Sequence, residues 1–258
     1  MLLIARSTIK NRLEQYEEFS VSTKELFRDD GYLKTCSATV TATSEDGFCV
    51  DQTVFYPLGG GQPGDQGIAR CADGREITIC DTRKSVEDNA HYHLVEVDCK
   101  LPEPGEQITL EVNWVRRHRF MRMHSCMHML CAIVPAGVTG GSISEDRARL
   151  DFDMQETLDK QHLTTELNRL IEENHPMSMR WITDDEMDQQ PDLVRTMSVQ
   201  PPRSSGRVRL VNFEGIDLQP CGGTHVASSG EIGRVRVQKI EKKGKHNRRV
   251  IVVFDDQE

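Results

Sequence analysis

Two patterning regimes divide the chain. Up to Val112 the apolar residues fall in short runs rich in Val, Ile, Thr and aromatics, over Cys36–Val40, Phe48–Phe55, Glu76–Cys80, His91–Val97 and Gln107–Val112. Asp46-Gly47, Asp73-Gly74 and Pro102–Gly105 punctuate them. Short strands at regular spacing with turn residues between them predict a small β-barrel. From Trp114 to Val134 neither Pro nor Gly occurs and apolar residues recur at helical spacing until Pro135 and Gly137; this predicts a helix. A second helix is predicted over Glu156–Asn174, stopped by His175-Pro176. Thr183 followed by Glu186 reads as a capping box opening a short helix that Pro191 closes. Arg207–Phe213, Gly233–Ile240 and Arg249–Phe254 read as strands, so helices and strands mix in this half.

The fold class is therefore α+β: an N-terminal small β-barrel carrying a glycine-rich motif, then an α+β domain. We place boundaries to give an N-terminal extension over 1–20, a barrel over 21–104 and the α+β domain over 105–258. Arg6, Lys10 and Arg12 precede the first acid, a faint presequence pattern. Glu14, Glu17 and Glu18 follow at once, and a short N-terminal helix accounts better for the segment. No run of 18 apolar residues is present, so no membrane-spanning helix is predicted. Eight scattered cysteines without a CxxC pair fit reduced thiols and a cytoplasmic protein. The net charge, with 32 Lys+Arg against 41 Asp+Glu, is −9. That excludes a generic basic nucleic-acid coat but not a local basic patch.

Chemistry concentrates in four places. His124 and His128 lie four apart on the predicted helix, so both rings leave one face, whereas Cys126 points away. Cys221 and His225 bracket Gly222-Gly223-Thr224 on a loop. Two spaced pairs of soft donors suit a tetrahedral Zn²⁺. The bland alternative is an ordinary histidine pair and a tight glycine turn beside a buried cysteine. Four protein ligands fit a structural site, three plus water a catalytic one, and spacing leaves both open. The segment Tyr56–Gly67 holds five glycines in twelve residues but neither a P-loop nor a dinucleotide fingerprint. It is either a plain hairpin loop or a place where backbone approaches a ligand, with Thr53, Gly59, Gly60, Gly61 and Gln62 as the candidate substrate-binding residues. Finally, Arg234, Arg236, Lys239, Lys242, Lys243, Lys245, Arg248 and Arg249 face a single acid, Glu241, in the C-terminal hairpin. That asymmetry points to RNA, against the alternative of a solvated turn.

Three strings fit one family together: Thr53–Asp65 (TVFYPLGGGQPGD), the helix with His124-Ser-Cys-Met-His128, and Gly215–His225 (GIDLQPCGGTH). They resemble the editing domain of alanyl-tRNA synthetase, and better its free-standing AlaX-type trans-editing relatives. Arg147–Asp153, Ser198–Val208 and Gly230–Val250 share the likeness, which runs from about Val21 to the C-terminus. The family usually has Thr-Ala where this chain has Ser125-Cys126, and residues 1–20 find no counterpart. The aminoacylation core and the C-terminal helical extension of longer relatives are absent from this sequence.

The resemblance implies an aminoacyl-tRNA deacylase that uses Zn²⁺ to hydrolyse mischarged tRNA(Ala), chiefly seryl-tRNA(Ala) and also glycyl-tRNA(Ala). The partner is the tRNA(Ala) acceptor end, with no membrane and no nucleotide cofactor. A synthetase pocket for alanine cannot firmly reject smaller glycine or hydroxylated serine, so a second sieve has a physical rationale. No Asp, Glu or His outside the metal set stands out as a general base; a zinc-bound water is the expected nucleophile. Two other classes fit the same residues: a non-catalytic zinc-stabilised RNA-binding module, and a related hydrolase acting on another aminoacyl-tRNA or a small molecule.

Overall fold

The computed structural model describes residues 22–85, 89–96, 99–197, 203–204 and 206–255. The expected N-terminal helix over residues 1–20 lies outside them. The strands are β1 (Lys24–Glu25), β2 (Thr35–Ser44), β3 (Gly47–Val50), β4 (Gln52–Thr53), β5 (Gly67–Cys71), β6 (Glu76–Lys84), β7 (His91–Val95), β8 (Gln107–Val112), β9 (Val138–Ile143), β10 (Arg147–Asp153), β11 (Met177–Thr183), β12 (Arg203–Ser204), β13 (Arg207–Phe213), β14 (Asp217–Pro220), β15 (Val235–Lys242) and β16 (Asn247–Phe254). The α-helices are α1 (Trp114–Ile133), α2 (Lys160–Glu172) and α3 (Asp184–Asp188). Two compact units result. One comprises the chain up to Leu58 with Gly64–Trp114; the other comprises Gly59–Pro63 with the chain from Val115 onward.

The first unit is a closed barrel, β2-β3-β7-β6-β5-β8, antiparallel throughout. The cause is visible in β8, where Ile108, Leu110 and Val112 alternate with Gln107, Thr109 and Glu111 and only the apolar set is buried. Val50, Val54, Phe55, Ala69, Ile79 and Leu110 are wholly buried together. β8 corrects the boundary drawn at 104: it pairs with both β2 and β5, so the barrel closes only at Val112. Two further differences concern single residues. The run Phe48–Phe55 divides into β3 and β4 because Asp51 breaks step, its carboxylate accepting from the Thr39 amide at 2.7 Å. β5 follows the glycine segment, its five-residue alternation too short to stand out.

In the second unit the order β15-β16-β10-β9 makes one antiparallel sheet, and β11, β12, β13 and β14 make another around β13. α1 is buried along most of its C-terminal half, from Met121 to Cys131, which explains its lack of a polar face there. α2 is amphipathic, burying Leu163, Leu167, Leu170 and Ile171; the Asp159 side chain caps it, three residues after the expected start at Glu156. The capping box of Thr183 and Glu186 is present as expected. β9, β10, β11 and β14 had no strand prediction, although Arg147–Asp153 alternates charged and apolar residues along its whole length. Among the described residues no helix is long and apolar enough to cross a membrane.

Leu110 is wholly buried among these barrel residues. Truncation to Ala is expected to cost about 2–5 kcal/mol, read as a lower urea midpoint at unchanged slope.

Candidate metal centre

The site is built from one helix and one loop. α1 sends His124 and His128 from the same face, and the loop after β14 returns Cys221 and His225 to them. The four donor atoms lie within 4.8 Å of one another. His225 Nε2 is 3.0 Å from His128 Nε2, and Cys221 Sγ is 3.4 Å from His124 Nε2 and 3.5 Å from His225 Nε2. A tetrahedral zinc with nitrogens at about 2.0–2.1 Å and sulfur at about 2.3 Å would space its donors roughly 3.3–3.6 Å apart. The two separations from Cys221 Sγ fall in that range, and the His128–His225 separation, 3.0 Å, is slightly shorter.

Orientation of the rings is fixed from outside. His128 Nδ1 lies 2.7 Å from Asp217 Oδ2, and Gln219 Nε2 donates to the same oxygen at 2.8 Å. His124 Nδ1 lies 2.9 Å from Gln62 Oε1. A carboxylate and an amide oxygen only accept, so both histidines carry the proton on Nδ1 and turn the Nε2 lone pair inward. Nitrogens this close need either a shared proton or a metal ion between them. Burial alone would raise the Cys221 thiol, but the imidazoles of His124 and His225 hold it well below its ordinary value. Burial would depress His128, yet Asp217 and Cys221 raise it to about 9. His225 is pushed well below its ordinary value, by burial first. The lowered thiol favours the thiolate, the form of cysteine that ligates a metal. Cys126, wholly buried elsewhere and raised to about 12 by burial, is no ligand.

The glycine segment is a turn with a purpose. Gly59 and Gln62 exchange both backbone hydrogen bonds, at 3.1 and 2.9 Å, with Gly60 and Gly61 between them at φ 55° and 83°. Two successive positive φ values define a type I′ turn, which glycine enters without strain. A Cβ on Gly61 would come within 2.9 Å of the Gly141 carbonyl oxygen. Gln62 leaves this turn wholly buried, donating to Thr224 Oγ1 at 2.9 Å while its oxygen takes His124. Both ends of the amide are thus occupied inside the second unit. Gly223 is constrained in the same way, since a Cβ there would lie 2.2 Å from His124 Cε1.

Several functional residues escaped the sequence reading. Asp217 and Gln219 stand inside the GIDLQPCGGTH string but look like strand residues. Arg209, buried on β13, donates to the Cys221 carbonyl at 2.9 Å and to the Gly223 carbonyl, so it pins the ligand loop. Ser125 accepts from the Val226 amide at 3.1 Å and ties the loop to α1. Nothing in the spacing signals Arg209, whose partners are main-chain carbonyls.

The other candidates are dispersed. Thr53 is wholly buried in the first unit, where its hydroxyl accepts from the Phe55 amide at 3.0 Å and meets His93 Nε2 at 2.9 Å. His93 stacks on Phe48 and is pushed down to about 3, chiefly by burial, so it is neutral. In the C-terminal hairpin Arg234, Arg236, Lys239, Lys242, Lys243 and Lys245 are all exposed. Lys239 and Lys243 both pair with Glu241, at 2.6 and 2.9 Å. Arg248 is buried, donating to the Glu156 carbonyl at 3.0 Å and to that of Gln155; Arg249 pairs with Asp151. Arg248 thereby braces the turn through main-chain carbonyls.

Similarity to known proteins agrees with the site. The family model described as the threonyl and alanyl tRNA synthetase second additional domain matches residues 208–251, which hold Cys221 and His225. A class II (A) tRNA synthetase model matches residues 4–116. The second match extends into residues 1–20, the segment for which the sequence reading found no counterpart. The chain is thus related to aminoacyl-tRNA synthetases and their accessory modules. The alanyl-tRNA editing protein AlaX-M of Methanosarcina acetivorans is 32% identical over 91% of this chain and 100% of its own length. AlaX-M of Saccharolobus solfataricus is 30% identical over 88% of this chain and 97% of its own. The alanine–tRNA ligase of Pyrococcus furiosus is 29% identical over 92% of this chain but only 27% of its own. The chain belongs to the AlaX-type family of alanyl-tRNA editing proteins.

The ring orientations lead to a specific expectation. Purified protein should carry one metal ion per chain by elemental analysis, and a His124→Ala, Cys221→Ala double variant none. Asp217→Asn should keep the ion but bind it roughly 10–100-fold more weakly in a chelator competition.

Proposed function

We propose that this protein hydrolyses the ester linking a wrong amino acid to tRNA(Ala), chiefly serine and also glycine, in trans. The observation that carries the proposal is the Cys/His₃ cluster with its outward hydrogen bonds, in a chain whose full-length relatives are alanyl-tRNA editing proteins. We assign Zn²⁺ to the cluster because thiolate and imidazole together suit zinc by softness. Bound there, zinc supplies a Lewis acid that polarises or orients the group undergoing attack. His124, His128, Cys221 and His225 would hold it, and Gln62 and Asp217 keep the two helix histidines turned toward it.

Hydrolysis adds water across the ester carbonyl and returns the ribose hydroxyl of the tRNA, so it needs no nucleotide. The partner is the tRNA(Ala) acceptor end, and the compartment is the cytoplasm, where the substrate arises. Gly59, Gly60 and Gly61 contribute close backbone approach. Gln62 acts as a positioning residue, since both ends of its amide are already engaged.

Alanine is smaller than serine, so correctly charged tRNA cannot be excluded by size. Sparing it requires a group that expects the serine hydroxyl and goes unpaired without it, a device that discriminates by roughly 10⁴-fold. We assign that role to Thr53, whose hydroxyl retains hydrogen-bonding capacity beyond the Phe55 amide and His93. A panel of seryl-, glycyl-, alanyl- and threonyl-tRNAs with free aminoacyl esters tests the whole reading. Rapid release from seryl-tRNA(Ala) and little from alanyl-tRNA(Ala) is expected. Binding without release would leave the non-catalytic module, and release from another substrate the related hydrolase. Thr53→Val should narrow the seryl-over-alanyl ratio of kcat/KM, mostly by losing seryl activity, at unchanged metal content.

The surface bases of the hairpin are proposed to meet the tRNA backbone. Lys242→Gln, Lys243→Gln and Lys245→Gln together should weaken tRNA binding and flatten log K against log salt by about one unit for each phosphate no longer neutralised. Single-turnover hydrolysis at saturating protein should hardly change.

A further inference from the structure

The outer face of the sheet β15-β16-β10-β9 carries an arginine-lined hollow that the hairpin alone does not explain. β10 alternates: Ala148, Leu150 and Phe152 are buried, while Arg147, Arg149, Asp151 and Asp153 take the opposite face. Register then assembles the charges. Arg149 stands beside Ser142 of β9 and Ile251 of β16, and Asp151 stands beside Arg249. Ser142, Ser144, Arg147, Arg149, Arg249 and Ile251 line a hollow of about 290 Å³.

One acid, Asp151, bridges two arginines of this group. Asp151 Oδ1 takes Arg249 Nε at 2.7 Å, and Oδ2 takes Arg249 Nη2 at 2.8 Å and Arg149 Nη1 at 2.6 Å. Its side chain is only 11% exposed, whereas those of Arg149 and Arg249 keep 34% and 25%. The carboxylate therefore fixes two guanidinium planes from beneath and leaves N–H groups on their outer edges. Arg147 is exposed and makes no ion pair among the described residues. Three guanidiniums line the hollow against Asp151, with Glu241 in register with Arg249 and Asp153 further along the same face of β10. On neighbouring β15, Arg236 is in register with Val253 and through it with Arg147, and Lys239 is in register with Ile251; each has its own acid, Asp255 at 3.3 Å and Glu241 at 2.6 Å.

Pre-oriented guanidiniums with adjacent hydroxyls recognise an anion with several acceptor oxygens, and phosphate suits their fork geometry. A sheet offering such groups in successive rows suits a chain of phosphates better than a lone ion. We propose that this hollow, centred on Arg147 and Arg149, is a phosphodiester-binding site for the backbone of the tRNA. The inference rests on the tRNA reading above and shifts the main binding surface from the hairpin tip to the sheet face.

Binding of uncharged tRNA(Ala) to the full chain, measured across a salt series, tests it. Arg147→Gln with Arg149→Gln should weaken binding and reduce the slope of log K against log salt by roughly 1.4–1.8, at about 0.7–0.9 per neutralised phosphate. Asp151 keeps its two bonds from Arg249 in that variant, so the sheet should melt as the native protein does. If it does not, Arg147→Glu alone, at an exposed position, must still weaken binding at low salt. Native affinity and slope in a folded variant, with seryl-tRNA(Ala) still hydrolysed by the native chain, overturn the sheet site and leave the function standing. Loss of slope in the variant, with no ester cleaved by the native chain, overturns the function and leaves the site standing. Native protein that binds no tRNA overturns both.

Discussion

Three imidazole nitrogens and a sulfur turned toward one point are the constraint on which the second unit depends. Nitrogens this close need a shared proton or a metal ion between them. Here they are fixed by groups outside the cluster. Asp217 and Gln62 set two tautomers, Arg209 grips the carbonyls of the ligand loop, and Ser125 ties that loop to α1. Burying such polar groups costs several kcal/mol wherever a partner is missing, so the supports are as necessary as the donors.

Glycine placement follows from the same crowding. Gly60 and Gly61 make a turn that no β-branched residue would enter, and the turn delivers Gln62 to His124. Gly223 has no side chain because the His124 ring occupies the space one would need. The glycine string and the CGGTH string, far apart in sequence, are therefore shaped by one histidine.

Charge is distributed with similar economy. An acidic chain keeps polyanions away in general, so a basic face must be local and must not be consumed by its own ion pairs. In the hairpin, Glu241 engages two lysines and Arg248 braces the turn through carbonyls. On β10 a single buried carboxylate orients arginines while leaving their outer edges open.

What the sequence by itself determined is whatever depends on local period and on donor type. The barrel strand Gln107–Val112, the helix from Trp114 and the Thr183–Glu186 capping box are each written in a few adjacent residues. So are the two donor pairs, because i,i+4 spacing on a helix and softness of Cys and His are local facts. The long motifs carried the family as well. Tertiary structure alone decided the closure of the barrel by β8, since pairing with β2 and β5 is not encoded within β8. It also decided the roles of Gln62, Asp217 and Arg209, whose partners lie up to 162 residues away. Arg147–Asp153 shows the difference within one strand: its alternation is local and readable, but which acid serves which arginine depends on β16, about a hundred residues further along the chain. Hydrogen bonds of that range are satisfied by folding, and no window of sequence contains both ends.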